Sequence, residues 1–150
     1  MGLKIARLIV FLIVALIFAL VQFKGLTHIA PGDENVYFYM ANQVSQGKFP
    51  YKDFFYAHPP LHILILALLI KLFGLNFFIL KSAELLALLT ASFFLYKTSL
   101  EFFGNRLNDK NSTVLSAIVI IVFLFSFEVL FKATFSMGIN LSLMLVMISF

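Results

Sequence analysis

IARLIVFLIVALIFALVQF, residues 5–23, is interrupted by a single charge, Arg7, and follows Lys4. A bilayer core of about 30 Å is crossed by roughly 20 apolar residues in a helix, so this run is long enough to span it. Its basic start resembles a signal peptide. The exit, Val21-Gln22-Phe23-Lys24, lacks a small-x-small cleavage pattern and therefore reads as an uncleaved anchor. Lys4 and Arg7 place the N-terminus in the cytoplasm, and whatever follows Phe23 outside.

The rest of the composition agrees. The 150 residues form one domain at most. They are 62% hydrophobic and 12% charged, with twenty Phe and a mean hydropathy of +1.03. A soluble domain of this size leaves roughly a third of its chain area exposed and could not hide so much apolar surface. Net charge is +4, but the eleven Lys and Arg sit singly between apolar runs. Topology and lipid headgroups explain them, and no nucleic-acid partner is expected. Cysteine is absent, which excludes disulfides, thiolate metal sites and cysteine nucleophiles.

Beyond Phe23 lies the one extended polar stretch, KGLTHIAPGDENVYFYMANQVSQGKFPYKDFFYAHPP, Lys24 to Pro60. It holds all four prolines and three of the seven acids. Pro31-Gly32 is a turn signal, and Asp33 stands where a helix N-cap would sit. Val36, Met40 and Val44 recur at spacing four, flanked by Tyr37 and Ala41. They predict a short amphipathic helix on the membrane surface, ended by Gly47. Phe49 to Pro60 is expected to be irregular, because residues before proline avoid the helical region.

Leu61–Gly74 is apolar but short for a span, and 75–96 and 112–131 are read as further spans. Leu141 to Phe150 reads as the start of another. If 61–74 only dips into the interface, Lys97, Arg106 and Lys110 form a compact cytoplasmic loop, as the positive-inside rule favours. The outer loop then covers 24–74. The expected fold is all-α, a polytopic transmembrane helical protein whose extracytoplasmic loop carries short juxtamembrane helices. Glu84 and Glu128 are costly inside a membrane. Lys81 and Lys132, three and four residues away, are their expected ion-pair partners along the helix, and His28 and His62 are read as structural.

Asp33-Glu34 and His58-Pro59-Pro60 bracket the outer loop and carry its chemistry. A carboxylate at a membrane surface is partly desolvated and becomes a better base, and an imidazole fixed by a Pro-Pro step can grip an anion such as phosphate. The rival readings are an N-cap for Asp33, a first-turn acid for Glu34, interface aromatics for Tyr37 and Tyr51, and a solvated pair for Lys52 and Asp53.

Asp33-Glu34-x-x-Tyr37, Gln46-Gly47-x-x-Pro50-Tyr51-x-Asp53-Phe54, His58-Pro59-Pro60-Leu61 and Leu72-Phe73-Gly74 together resemble the first outer loop of a known enzyme group. This is the GT-C superfamily of polyprenyl-phosphate-dependent glycosyltransferases, which includes protein O-mannosyltransferases and lipid A aminoarabinose transferases. The resemblance covers about residues 1–130 and implies that the chain is the N-terminal part of such a transmembrane domain. It implies sugar transfer from a polyprenyl-phosphate donor to a glycan, lipid or protein acceptor on the extracytoplasmic side of a cell membrane. By position Asp33 is the catalytic base and Glu34 orients it or the acceptor. His58, Tyr37 and Lys52 would bind substrate or its phosphate. Many members carry another acid in the next outer loop. Lys132 to Asn140 has none, which speaks against a divalent metal cofactor, and no metal ligand is assigned. The isolated chain is expected to lack turnover. The alternative is a non-enzymatic small membrane subunit that uses the outer loop to bind a partner. The two readings part on whether Asp33, Glu34 and His58 converge on one cavity.

Overall fold

The computed structural model describes residues 2–28 and 32–149, and among them it is all-helical, with no strand. The helices are α1 (Gly2–Thr27), α2 (Asp33–Ser45), α3 (Leu61–Phe73), α4 (Phe77–Gly104), α5 (Asp109–Leu124), α6 (Phe127–Lys132) and α7 (Ile139–Ile148). Two of them, α1 and α4, are long and apolar enough to cross a membrane. One face of α1, with Phe11, Val14, Ala15 and Phe18, packs into the protein, while Leu12, Leu16 and Leu20 remain more than half exposed.

Boundaries moved where local chemistry outweighs hydropathy. The segment expected at 75–96 runs on to Gly104, because Lys97, Thr98, Ser99 and Glu101 are polar yet compatible with a helix. Its start is capped by Asn76, whose side chain accepts from the Ile79 N–H. The span expected at 112–131 is not one helix. It begins at Asp109, where the Asn108 side chain accepts from the Asn111 N–H, and stops at Leu124. Ser126 is extended there, and its hydroxyl donates to the Phe123 carbonyl at 2.9 Å, so side chain competes with backbone and the helix restarts as α6. α3, at 13 residues, is about 20 Å long and too short to cross a bilayer.

Two cores hold the helices together. The first joins α1, α4 and α5 around Phe18, Leu88, Ile120 and Leu124, all fully buried. The second joins α2 and α3 to the start of α4 through Phe38, Ala41, Ile63, Leu66, Ile70 and Leu80. The fully buried face of α2 is Glu34, Phe38 and Ala41; of the stripe expected at Val36, Met40 and Val44, the last two pack half-buried against this core, while Val36 is exposed. α2 lays its inner face on α3, and tertiary packing sets the buried side.

The molecule has two polar ends. At one, the Arg7 side chain donates to Asp109 Oδ1 and the hydroxyls of Ser112 and Thr113, and the Tyr96 hydroxyl donates to the Arg7 carbonyl. This places the 105–108 turn, with its neighbouring cations, at the same end as the N-terminus. At the other end α2, the 46–60 loop and the α6–α7 connector come together.

Candidate functional site

α2 begins after Gly32, whose φ of 144° and ψ of −162° lie in a region essentially reserved for glycine. Gly32 is the N-cap, and Asp33 is the first helical residue. The capping role weighed for Asp33 is not the one it takes, and no side-chain cap bond forms there. Pro31, the other half of the expected turn signal, lies outside the described residues. Asp33 is exposed, and Tyr37, one turn on, stands on the same face.

The 46–60 loop delivers His58 to that face. Its tip is a tight turn closed by Asp53, whose backbone N–H donates to the Phe49 carbonyl and whose carboxylate accepts from the Phe49 N–H at 2.7 Å. Tyr51 sits within it at φ 69°, a left-handed conformation uncommon for a non-glycine residue. Its hydroxyl donates to the His58 carbonyl at 2.6 Å. Asp53 thus builds the turn, and Tyr51 holds the chain just before Pro59.

Asp33, Tyr37, Tyr56 and His58 line one open cavity of about 270 Å³. The Tyr37 ring lies 5.9 Å from that of His58 and 6.4 Å from that of Tyr56. Burial pushes the Tyr37 hydroxyl up from the ordinary tyrosine value, with the Asp33 carboxylate adding to it. The Tyr56 hydroxyl is pushed up to about 12 by burial, and by Tyr37 and Tyr51 beside it. Both remain neutral phenols, able to donate hydrogen bonds, well above physiological pH. The cavity therefore joins a carboxylate, an imidazole and neutral donors at one surface.

The other two expected site residues lie elsewhere. Lys52 is exposed on the turn, its ammonium 6.0 Å from the Phe49 ring, and does not line this cavity. Glu34 points into the protein, 1% exposed. One carboxylate oxygen receives Lys81 Nζ at 2.9 Å and the other the Ser136 N–H at 3.2 Å. Lys81 Nζ also donates to the His28 carbonyl at 2.6 Å. An ionised pair this deep needs such added bonds to offset its desolvation.

The acids of the apolar segments, Glu84 and Glu128, are partly re-paired. Glu128 takes Lys132 at 2.7 Å, the expected i,i+4 contact. Lys81 goes to Glu34, and Glu84 instead meets His62, Nε2 to Oε1 at 2.8 Å. Ser136 Oγ approaches both, at 3.4 Å from His62 Nε2 and 3.5 Å from Glu84 Oε1. Hydroxyl and carboxylate share the same ring nitrogen, so this is not the relay geometry of a serine nucleophile, which uses both. Sequence reasoning missed this group. One signal was present: His58-Pro59-Pro60-Leu61-His62 is a His-x-x-x-His spacing. Among the described residues no cluster of three His, Asp or Glu could hold a metal ion. Comparison with protein-family models, with curated proteins and with solved structures finds no match.

Proposed function

We propose that the chain carries the outer-loop site of a multi-pass membrane glycosyltransferase of GT-C type, acting on a polyprenyl-phosphate-linked sugar at the extracytoplasmic face of a cell membrane. One observation carries the reading: Asp33 and His58, twenty-five residues apart, line the same open cavity. An accessory subunit has no need to bring a carboxylate and an imidazole to one hollow.

In this reading Asp33 takes the proton of an acceptor hydroxyl. The acceptor oxygen bonds to the anomeric carbon, and the bond from that carbon to the donor phosphate breaks, its electron pair leaving with the phosphate. Phosphate is already a good leaving group, so donors that hold it matter more than an acid that protonates it. His58 and Tyr37 stand on the same wall to provide them. Of the two parts expected of it, Glu34 takes that of orienting the base: its ion pair with Lys81 fixes the first turn of α2 and so the place of Asp33. In the same reading α1 and α4, the two helices long and apolar enough to cross a membrane, span it with the N-terminus and the 105–108 turn on the cytoplasmic side, and the cavity then belongs to the outer surface.

The test is sugar transfer from a polyprenyl-phosphate donor, in liposomes, by the longest protein that the reading frame encodes. Asp33→Asn is expected to lower transfer at least a hundredfold, in the range of general-base losses. Undiminished transfer by this variant removes Asp33 as the base.

A further inference from the structure

KFPYKDFF, residues 48–55, forms the tip of the 46–60 loop. It contains no glycine, asparagine or serine, and four of its eight residues are aromatic. Hydrogen bonds close it instead. Besides the two contacts of Asp53 with Phe49, the Tyr51 N–H donates to the Phe54 carbonyl at 2.9 Å and the Lys52 N–H to that of Phe49 at 3.3 Å. Tyr51 takes the φ of 69° that a glycine would adopt freely. The tip is therefore held in one shape, and so are the side chains it presents.

Of the four rings, only Phe54 turns inward, against the core of α2 and α3. Phe49 and Tyr51 are 63% and 59% exposed. Phe55, at 82%, is more exposed than any other large apolar side chain among the described residues. Lys48 and Lys52 stand exposed among these rings, the Lys52 ammonium 6.0 Å from that of Phe49. Asp53, the one acid, leaves the tip with a net charge of +1. Apolar rings fixed in water are unfavourable until something covers them.

The lysines identify the cover. Lysine is depleted where one protein packs on another. Rings mixed with lysine suit a bilayer interface, where the rings sit at headgroup level and the ammonium groups meet anionic headgroups. We infer that the 48–55 tip anchors the loop to an anionic bilayer surface, with Phe49 and Phe55 entering the interface and Lys48 and Lys52 among the headgroups. The inference rests on α1 and α4 crossing the membrane, and not on sugar transfer. It also ties the bilayer to the site. The Tyr51 hydroxyl holds the His58 carbonyl at 2.6 Å, so the turn that touches lipid also fixes the chain before Pro59.

The chain has no tryptophan, so Phe55→Trp places a single indole reporter at the tip. The full-length variant is reconstituted into phosphatidylcholine vesicles with or without phosphatidylglycerol. Its emission is quenched from the bilayer by lipids brominated in the upper acyl chain, and from water by acrylamide. In the anionic vesicles the brominated lipid is expected to quench strongly and acrylamide weakly. Anionic lipid is expected to raise the ratio of inserted to exposed reporter about fivefold for each lysine. Adding Lys48→Gln and Lys52→Gln should abolish that rise and leave the helical circular dichroism unchanged. Strong quenching by acrylamide with little by brominated lipid overturns the anchor. So does a reporter that neither quencher reaches, which would show a protein surface as the cover. Insertion indifferent to anionic lipid and to the two lysines overturns the anionic surface as the partner. Release of the chain from vesicles by carbonate would sink the spanning reading and the anchor together. An inserted tip in a protein without transfer activity sinks the glycosyltransferase reading alone.

Discussion

Two ends of the molecule are fastened by ion pairs of nearly the same length, and they are not equivalent. At the N-terminal end Arg7 meets Asp109 at 2.8 Å, with side chains 21% and 70% exposed. At the site end Lys81 meets Glu34 at 2.9 Å, with side chains 2% and 0% exposed. Distance alone would rank them together. The buried pair has lost its water and cannot regain it when one partner goes, whereas the exposed carboxylate is resolvated at once. The site end also carries His62–Glu84 and, through Ser136, a link between the two buried pairs: its N–H on Glu34 and its hydroxyl near Glu84. Charge at this end organises the structure; at the other it trims a surface.

The comparison can be broken at several strengths. Lys81→Met fills similar space and leaves Glu34 buried without its cation. It is expected to cost about 3–5 kcal/mol, read from unfolding in detergent, and adding Glu34→Gln should recover most of it. A small loss from the single variant would mean that the buried pair is no stronger a fastening than the exposed one. Next in size is a pH effect confined to the site end. Tyr56 ionises at about 12 when folded, against 10.0 ordinarily. The folded state thus holds its proton more tightly than the unfolded state. That contribution is full below pH 10 and fades as pH rises towards 12. Alkaline titration followed by tyrosinate absorbance should show a late-ionising tyrosine that Tyr56→Phe removes. Arg7→Gln, at the other end, is expected to cost about 1 kcal/mol or less in the same unfolding assay. Glu128→Gln, with that carboxylate 70% exposed, should be indistinguishable from wild type.

The comparison also separates what could be read early from what could not. Arg7 at the start of an apolar run meets Asp109 beside the 105–108 turn, so the N-terminus and that turn share one end, the arrangement expected from the positions of the cations along the sequence. Asp33 and His58 were likewise legible as chemistry, one beside a turn glycine and the other before two prolines. Glu34 was not. Nothing adjacent to it in the chain announces that its partner is 47 residues away, and a neighbouring acid in a first turn reads much like Asp33. A helical offset of one residue turns a side chain by about 100°, enough to send Asp33 into the cavity and Glu34 into the core. The same limit hid Glu84, assigned to Lys81 on its own helix until α2 and α3 supplied better partners.

By itself the sequence determined that this chain is helical and that its first long apolar helix can cross a bilayer, since both follow from local periodicity and summed hydropathy. It also placed the polar chemistry between residues 33 and 58. Only the tertiary structure decided which acid faces the cavity and which faces a lysine, and it alone set His62 against Glu84. Burial and pairing depend on which helix faces come together, and that is a property of the packed chain rather than of any one stretch of it.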